Sequence, residues 1–303
     1  MSIKTLIGKE GFLFLQNDSA RELEVHNNNL CIININFNNV YNNIKNKYLM
    51  IIFPNKSLLY KEYLPDEYNL QYRPGYIKYK EYFENHILDG YEILKQEKDN
   101  IINHENHENE LLYYKTDTHI NLYGNTVIYK NFVKKIKELF NIDCDIIDYK
   151  IDKKEEILIN LGYGLGDLTW EINAGNESLI NMYDVYYYSD NIKMLYMSYK
   201  INSDDYIRLY KDDNGQLIDK TLELDNNILV WDILSKYILY KKNESKIKKK
   251  VLIFYDSFLI NMLKVYLEMF DEVYLAKSII NLELINIINP DYIFEFRVER
   301  FLM

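Results

Sequence analysis

Residues 251–270, VLIFYDSFLINMLKVYLEMF, decide the fold that we expect for this chain of 303 residues. An apolar run rich in β-forming residues, Val251–Tyr255, ends at Asp256 and Ser257, and an amphipathic segment of helical length follows. This order predicts a strand, a one-residue turn and a helix, with the Ser257 hydroxyl at the helix N-terminus. Unpaired N–H groups and the helix dipole favour negative charge there, which suits a nucleophile whose attack creates an oxyanion. The alternative is that Asp256 or Ser257 only caps the helix.

A second stretch begins with an apolar lead-in, Leu111–Tyr114, which predicts a strand. Asp117 and His119 follow two residues apart, and a long helical pattern runs from residue 121 to about residue 140. A Ser–His–Asp site needs a base near the hydroxyl and an acceptor that fixes the tautomer of the imidazole. We therefore expect Asp117, His119 and Ser257 each to lie just beyond a strand, where open α/β sheets gather their ligands. The alternative is that Asp117 and His119 merely cap the following helix.

Several short strings occur together in the order in which one known family carries them. They are G-K-E-G-F-L-F-L at Gly8–Leu15, P-N-K at Pro54–Lys56, Y-L-P at Tyr63–Pro65, D-T-H-x-N-x-x-G at Asp117–Gly124, G-x-G-D-L at Gly164–Leu168, D-S-F at Asp256–Phe258 and V-E-R-F-L at Val298–Leu302. None of these strings is specific by itself, but the ordered set spans nearly the whole chain. On these motifs the sequence resembles the SGNH-hydrolase-like family of alginate O-acetyltransferases, the AlgX/AlgJ type.

The resemblance implies an α/β fold of the SGNH-hydrolase-like kind, with three layers, a central, mostly parallel sheet and a permuted motif order, Asp-x-His before Ser. It also implies a triad in which Ser257 is the nucleophile, His119 the base and Asp117 the residue that orients the base. Two positions depart from the family pattern. Tyr255 stands where SGNH serine motifs usually have glycine, which bears on the oxyanion geometry, and Ile120 stands where this family often has tryptophan, which bears on acceptor binding.

Several further residues are expected to contact substrate. A loop after an early apolar strand carries Tyr63 and Tyr72, whose ring faces suit the apolar faces of pyranose rings, although a packed surface loop is the alternative. Lys56 in the same loop is a candidate for binding an anionic group, or else a solvated side chain. Arg297, at a strand end, is a candidate for a substrate anion, with ion pairing as the alternative. By the resemblance, the glycine-rich run lies near the active-site cleft, and the backbone amides of Gly164 or Gly166 are candidates for the wall of that cleft.

We expect one domain over residues 1–303, with a β-rich insertion or cap at approximately 175–245, where short β-rich runs alternate with polar turns. Hydrophobic residues make up 48% of the chain, enough for a sizeable core. The run His104–Glu110 holds two histidines and three glutamates but has neither strand nor helix periodicity. Ligands there would lack a rigid frame, so we expect no metal site.

The formal net charge of −10 argues against a nucleic-acid or anionic-membrane binder. The two cysteines, Cys31 and Cys144, indicate no disulfide framework. The sequence shows no signal-peptide pattern and no apolar stretch long enough for a transmembrane segment. A cytoplasmic location is therefore expected, and the alternative is a fragment of a longer exported or membrane-anchored protein.

With the resemblance, the expected function is that of a serine-dependent O-acetyltransferase acting on a carbohydrate or polysaccharide hydroxyl through an acyl-serine intermediate. One alternative is a carbohydrate acetylesterase with the same triad. Another is a catalytically silent glycan-binding or assembly module, which the departure at Tyr255 leaves open. No bound cofactor is expected, but an acyl donor is required, with acetyl-CoA as a candidate. The expected partners are this donor and a glycan acceptor.

Overall fold

The structure is a computed structural model and describes residues 5–30, 41–103, 110–157, 166–169, 183–189, 207–212, 214, 216–219 and 238–302. The α-helices in these residues are α1 (Glu22–Asn28), α2 (Lys56–Leu59), α3 (Pro74–Phe83), α4 (Gly90–Asn103), α5 (Leu122–Phe140), α6 (Leu263–Met269) and α7 (Leu282–Ile288). The strands are β1 (Thr5–Ile7), β2 (Leu13–Leu15), β3 (Tyr48–Phe53), β4 (Ile87–Asp89), β5 (Asp152–Ile157), β6 (Tyr183–Tyr188), β7 (Ile207–Lys211), β8 (Leu217–Asp219), β9 (Ile238–Lys242), β10 (Lys250–Tyr255), β11 (Glu272–Ala276) and β12 (Tyr292–Val298). None of the described helices is long and apolar enough to cross a membrane.

The main sheet has eight strands in the order β4-β3-β12-β10-β11-β9-β7-β8. The first five of these strands run parallel to one another. The other three continue one edge in antiparallel pairs. The fold is therefore a mixed α/β fold with a mostly parallel sheet, as the sequence predicts. Because parallel strands end at the same edge, the residues that follow β3, β4, β10 and β12 meet there.

Helices cover both faces of this sheet. On one face α4, α5 and α6 pack on the strands, and on the other face α3 and α7 do so. Successive strand residues alternate between the two cores: Ile253 and Phe294 face α5, whereas Leu252 and Ile293 face the other layer. Burial on both faces explains why β3 and β10 are apolar runs rather than alternating patterns.

The strand, turn and helix predicted around Ser257 are present. β10 ends at Tyr255, Asp256 forms the turn, and a 3₁₀ helix occupies Ser257–Met262 before α6 begins. The long helix predicted after the Asp117–His119 stretch is α5. Its N-cap is Asn121, whose side chain accepts a hydrogen bond from the first turn, so neither Asp117 nor His119 is the cap of this helix.

The strand predicted at Leu111–Tyr114 is wrong. Only an isolated bridge joins Tyr113 to Ile120, outside the main sheet. The two central side chains of the segment are fully buried in the core beside α5. An apolar run that packs against a helix has the same sequence pattern as a short buried strand. Asp117 and His119 therefore lie on a loop that other contacts must hold in place.

The stretch predicted as an insertion, approximately 175–245, contributes antiparallel strands where the structure describes it. β7, β8 and β9 extend the main sheet beyond β11, while β6 pairs with β5 in a separate two-stranded sheet. Much of this stretch lies outside the described residues. The boundaries of the insertion and the single-domain assignment for residues 1–303 therefore stay predictions.

A network of buried charges closes the edge at which the parallel strands end. Arg73, just before α3, donates to Asp89 at the end of β4 and to Glu299 just after β12, over 2.8–2.9 Å. The Glu299 side chain is fully buried, and those of Arg73 and Asp89 are nearly so. Because a buried charge without its partner is costly, the network fixes three separate segments relative to one another.

We expect Arg73→Met to lower the free energy of unfolding by about 3–5 kcal/mol, because Asp89 and Glu299 would stay buried without their cation. Urea unfolding followed by circular dichroism measures this loss. Lys9→Met is the matched control, since Lys9 and Asp66 form an exposed pair that contributes little. Equal losses in the two variants would contradict the role given to the buried network.

Candidate active site

Side chains from two distant parts of the chain meet at this edge of the sheet. His119 Nδ1 lies 2.6 Å from Asp117 Oδ1, and His119 Nε2 lies 2.7 Å from Ser257 Oγ. With the Nδ1–H donated to Asp117, Nε2 is the acceptor for the Ser257 hydroxyl. The side chains of His119 and Asp117 are 22% and 21% exposed, so molecules in solution can reach them. This arrangement can carry a proton from the hydroxyl to the imidazole.

The turn that presents Ser257 is held by the side chain of Asp256. Its two carboxylate oxygens accept hydrogen bonds from the N–H groups of Phe258, at 2.9 Å, and Val298, at 2.7 Å. Burial raises the pKa of Asp256, against the opposing effect of these donors and of nearby arginines. In the part of the chain that the structure describes, the Ser257 N–H has no hydrogen-bond acceptor, as is usual for the first residue of a helical segment.

Lys56 braces the loop that carries Asp117 and His119. The side chain is buried, and its ammonium donates to the carbonyl oxygens of Tyr114, Lys115 and Asp117 at 3.2, 3.0 and 2.6 Å. The sequence interpretation of Lys56 as an anion-binding contact to substrate is not supported, because backbone carbonyls already accept from this ammonium. Its position immediately after β3 connects the loop to the central sheet.

Two asparagines tie the loop and its helix to the Ser257 turn. Asn125 in α5 donates from Nδ2 to the carbonyl of Phe258 at 3.0 Å, and Asn261 donates to the carbonyl of Ile120 at 3.3 Å. The ring of Phe258 also packs against the imidazole of His119, with the ring centroids 5.0 Å apart. These contacts connect the segment that carries His119 to the turn that carries Ser257.

Asp167, which sequence analysis did not single out, lies beside these residues. Its Oδ1 accepts from the Thr118 N–H at 2.7 Å, and its Oδ2 accepts from the Thr118 hydroxyl at 2.6 Å. The N–H of Asp167 donates to Asp117 Oδ2 at 3.1 Å, and Asp167 Oδ2 is 3.7 Å from His119 Nδ1. The available signal was the G-x-G-D-L string, but a glycine-rich pattern by itself predicts only a turn.

The two carboxylates make His119 a stronger base. Burial opposes charge on the imidazole, but the hydrogen bond to Asp117 and the charges of Asp117 and Asp167 raise the pKa of His119, with Arg300 acting in the opposite direction. Burial also opposes ionisation of Asp117, yet His119 and the surrounding N–H donors hold its pKa well below the usual range. The pKa of Asp167 is raised, first by burial and then by the charge of Asp117.

The side chains in this cluster that are close enough together to bind a metal ion already make hydrogen bonds. Ligand atoms of Asp117, His119 and Asp167 lie within 4.8 Å of one another, a spacing that permits a metal ion. However, Nδ1 of His119 is hydrogen-bonded to Asp117 and Nε2 to Ser257, so both ring nitrogens are engaged. The geometry therefore favours acid–base chemistry at this site.

Two other residues expected at a substrate site, Tyr63 and Tyr72, are not brought to the cluster. Tyr63 stacks on Phe12 with ring centroids 4.0 Å apart, and the carbonyl of Tyr72 is 2.7 Å from His26 Nδ1. Within the described residues, neither tyrosine makes a hydrogen bond or ring contact with Asp117, His119 or Ser257. Gly164 lies outside the described residues, so its predicted role stays a prediction.

Arg297 lies on the face of the sheet opposite to α5. It alternates along β12 with residues that face α5, and its Nε donates to Glu295 Oε1 at 3.0 Å. Glu295 also accepts from the hydroxyl of Tyr48 at 2.7 Å. The predicted contact to a substrate anion is therefore not supported, and the alternative that the sequence left open, ion pairing, describes this residue.

Both departures from the family pattern are internal packing residues. Tyr255 and Ile120 are buried in the core beside α5. Ile120 packs against Gly124, where an added Cβ would meet its Cγ1 at 2.7 Å and the carbonyl of Leu112 at 2.4 Å. Neither residue interrupts the contact between His119 and Ser257. The departures therefore leave the geometry of the hydrogen-bonded group intact.

A cavity of about 700 Å³ lies along the outer face of α5. It is lined mainly by polar and tyrosine side chains, among them Tyr123, Lys130 and Tyr149. Asp117, His119 and Ser257 do not line it. Among the described residues, this cavity and the hydrogen-bonded group are therefore separate features.

With this site at its edge, the fold matches several solved structures. PatB1 of Bacillus cereus has a TM-score of 0.58 at 15% identity, covering 98% of this chain and 96% of PatB1. PatB1 with a sulfonyl adduct matches similarly, with a TM-score of 0.56 at 14% identity. A DHHW family protein from Eubacterium siraeum has a TM-score of 0.53 at 15% identity, over 98% of this chain and 94% of that one. The O-acetyltransferase domain of Pseudomonas putida AlgJ has a TM-score of 0.51 at 13% identity, over 98% and 91%.

These structural neighbours confirm, at the level of the fold, the resemblance to the AlgX/AlgJ type that the sequence motifs indicated. No protein-family model matches the sequence. A search of curated proteins also gives no match. At these identities the likeness establishes the shared fold, and the chemistry has to be argued from the site.

Lys56→Met is expected to lower the free energy of unfolding by about 2–4 kcal/mol, because buried carbonyls would lose their donor. Hydrogen exchange of residues 114–119 is expected to accelerate, since the loop loses its brace to the sheet. Urea unfolding and mass-spectrometric hydrogen exchange measure the two effects. Lys61→Met, an exposed lysine five residues on, is the control and should change neither. Unchanged exchange in Lys56→Met would contradict the bracing role.

Proposed function

We propose that this protein is a serine-dependent O-acetyltransferase that acts on a carbohydrate or polysaccharide hydroxyl through an acyl-serine intermediate. The proposal rests on the 2.7 Å contact between His119 Nε2 and Ser257 Oγ, with Asp117 on the other ring nitrogen. The shared fold with the AlgJ O-acetyltransferase domain supports the transferase class. On this proposal the chain is SGNH-like with a permuted motif order, because Asp117 and His119 precede Ser257.

In the first half-reaction, the Ser257 oxygen attacks the acetyl carbonyl carbon of a donor while His119 Nε2 accepts the hydroxyl proton. Ionised Asp117 stabilises the imidazolium that forms. Negative charge develops on the former carbonyl oxygen, and the Ser257 N–H is an available donor to it. The bond to the leaving group then breaks, His119 returns the proton to that group, and acetyl-Ser257 remains.

In the second half-reaction, His119 accepts a proton from a sugar hydroxyl as the sugar oxygen attacks the acetyl carbonyl of acetyl-Ser257. The bond to the Ser257 oxygen breaks, and His119 returns the proton to it. The products are the sugar acetate ester and the free enzyme. The donor is a compound that carries an activated acetyl group, with acetyl-CoA as a candidate, and the acceptor is a glycan.

A carbohydrate acetylesterase is the second candidate. Water in place of the sugar in the second half-reaction would release acetate with the same residues. The observation that favours this candidate is the exposure of about a fifth of the His119 and Asp117 side chains, which gives water access to the site. A silent glycan-binding module has less support, because the hydroxyl, imidazole and carboxylate already lie at hydrogen-bonding distance.

We expect the wild-type protein to release p-nitrophenol from p-nitrophenyl acetate, and Ser257→Ala and His119→Ala to lose this activity by on the order of 10³-fold or more. Ser19→Ala removes an exposed hydroxyl and is the matched control, with unchanged activity. Phenylmethylsulfonyl fluoride should label wild type and not Ser257→Ala in intact-mass spectra. The PatB1 sulfonyl adduct makes this reagent class a natural choice. Full activity in Ser257→Ala would refute the proposed nucleophile.

The choice between transfer and hydrolysis is tested by adding neutral and uronic-acid oligosaccharides to the same assay. Acetylated sugar detected by mass spectrometry supports the transferase, since the sugar hydroxyl must then have replaced water. With acetate as the sole product for every sugar tried, the acetylesterase becomes the better description. The Ser257→Ala protein under identical conditions corrects for spontaneous acetylation.

Activity should be lost as the pH falls through the pKa of His119, because only a neutral imidazole accepts the serine proton. Since the surrounding carboxylates raise this pKa, the acidic limb is expected above the ordinary value of about 6.5. The pH dependence of kcat/KM for p-nitrophenyl acetate measures the limb, which belongs to the free enzyme. A midpoint below about 6.5 would contradict the electrostatic description of the site.

A further inference from the structure

The segment 166–169 is docked on the loop that carries Asp117 and His119 by a set of hydrogen bonds spread along its length. Besides the contacts of Asp167, the N–H of Leu168 donates to the carbonyl of Thr116 at 3.3 Å. The carbonyl of Leu168 in turn accepts from the Thr5 hydroxyl at 2.7 Å. The segment therefore connects the loop to the N-terminal strand β1.

The docking is close enough to require glycine before Asp167. A Cβ added to Gly166 would lie 2.0 Å from the carbonyl oxygen of Thr116 and 2.7 Å from the N of Asp117. Both atoms belong to backbone, which cannot move aside as a flexible side chain can. The glycine thus lets a second carboxylate approach the imidazole from a distant part of the chain.

We propose that Asp167 is a positioning residue for the base: it fixes the loop through Thr118 and supplies a second negative charge beside the imidazole of His119. The inference deepens the proposed function and rests on it as far as catalysis is concerned. Asp167 itself touches neither Ser257 nor a reacting atom. It acts through Thr118, Asp117 and His119.

The positioning role of Asp167 follows from the hydrogen bonds that Asp167 and Asp117 make. Asp167 holds Thr118 with both carboxylate oxygens, one on the backbone N–H and one on the hydroxyl. Asp117 Oδ1 accepts from both the backbone N–H and Nδ1 of His119, while its Oδ2 accepts from the N–H of Asp167. Both carboxylate oxygens of Asp117 are thereby held by donors. Thr118, the residue between Asp117 and His119, is held by Asp167.

The electrostatic role of Asp167 follows from its negative charge and from its distance to His119. The charged groups that act on His119 are Asp117, Asp167 and Arg300. Asp167 Oδ2 lies 3.7 Å from His119 Nδ1, beyond a hydrogen bond but near enough for a strong attraction to a protonated ring. The carboxylate favours the imidazolium that forms when Ser257 is deprotonated, so it helps the step that creates the nucleophile.

The deciding experiment is an NMR titration of His119 in protein labelled with ¹⁵N-histidine, assigned with His119→Ala. Asp167→Asn keeps the shape and an acceptor oxygen for Thr118 but removes the charge. We expect it to lower the pKa of His119 by about one unit or more and to move the acidic limb of kcat/KM to lower pH by a similar amount. Asp148→Asn, an exposed acid, is the charge control and should shift neither.

An unchanged His119 titration in folded Asp167→Asn would overturn the electrostatic part. Thr118→Val tests the clamp separately, because it removes the hydroxyl bond to Asp167, together with the longer contact of 3.4 Å from that hydroxyl to His119 Nδ1, and keeps both carboxylates. We expect it to lower kcat several-fold with the acidic limb unmoved, and an unchanged kcat would overturn the positioning part. This second variant decides that part even where Asp167→Asn does not fold.

The titration does not depend on catalysis, so the two proposals fail in different ways. If Ser257→Ala retained full activity, the proposed function would fall, while the effect of Asp167 on the titration of His119 would still be measured. If the triad variants lost activity but neither Asp167→Asn nor Thr118→Val behaved as expected, the proposed function would stand and the role of Asp167 would fall.

Discussion

The hydrogen bond between His119 and Ser257 joins two segments that the sheet itself does not hold together. Ser257 follows β10 after one turn residue, whereas His119 lies on a loop that, among the described residues, contributes no strand to the main sheet. Hydrogen bonds from the surrounding structure hold the loop and the serine turn in place. Lys56 ties the loop to the end of β3, Asn125 ties α5 to the serine turn, and Asp167 accepts a hydrogen bond from the Thr118 hydroxyl in the loop. These three attachments lie on both of the segments that the contact between His119 and Ser257 joins.

How much of this the sequence predicts depends on how local each feature is. The turn at Ser257 follows from an apolar run, a capping residue and a helical pattern within twenty residues, and the structure has it. The pairing of Asp117 with His119 is also local, since the two residues are two positions apart. The contact between His119 and Ser257 spans 138 residues, so spacing leaves it open, and the ordered motifs suggested it only through the resemblance.

The residues whose roles the sequence left open are those whose partners are set by the tertiary fold. Lys56 and Arg297 have the chemistry of anion-binding residues, but each is buried and already bonded, to carbonyl oxygens and to Glu295 respectively. Asp167 was not predicted as a site residue, because its partners lie about fifty residues away in the sequence. Its glycine-rich surroundings also have the pattern of an ordinary turn. A single sequence shows which side chains are present, and the topology decides which of them meet.

The position of β12 has a consequence for how the chain acquires its structure during synthesis. β12 is the last strand of the described chain in sequence, yet it lies in the sheet between β3 and β10. A nascent chain that stops short of residue 298 has β3 and β10 without the strand that separates them. The parallel core can therefore close only after nearly all of the described chain has left the ribosome, and such non-local strand pairing is slow. Folding of the parallel core therefore waits for β12, and chains terminated before β12 expose unpaired strand edges to chaperones and proteases.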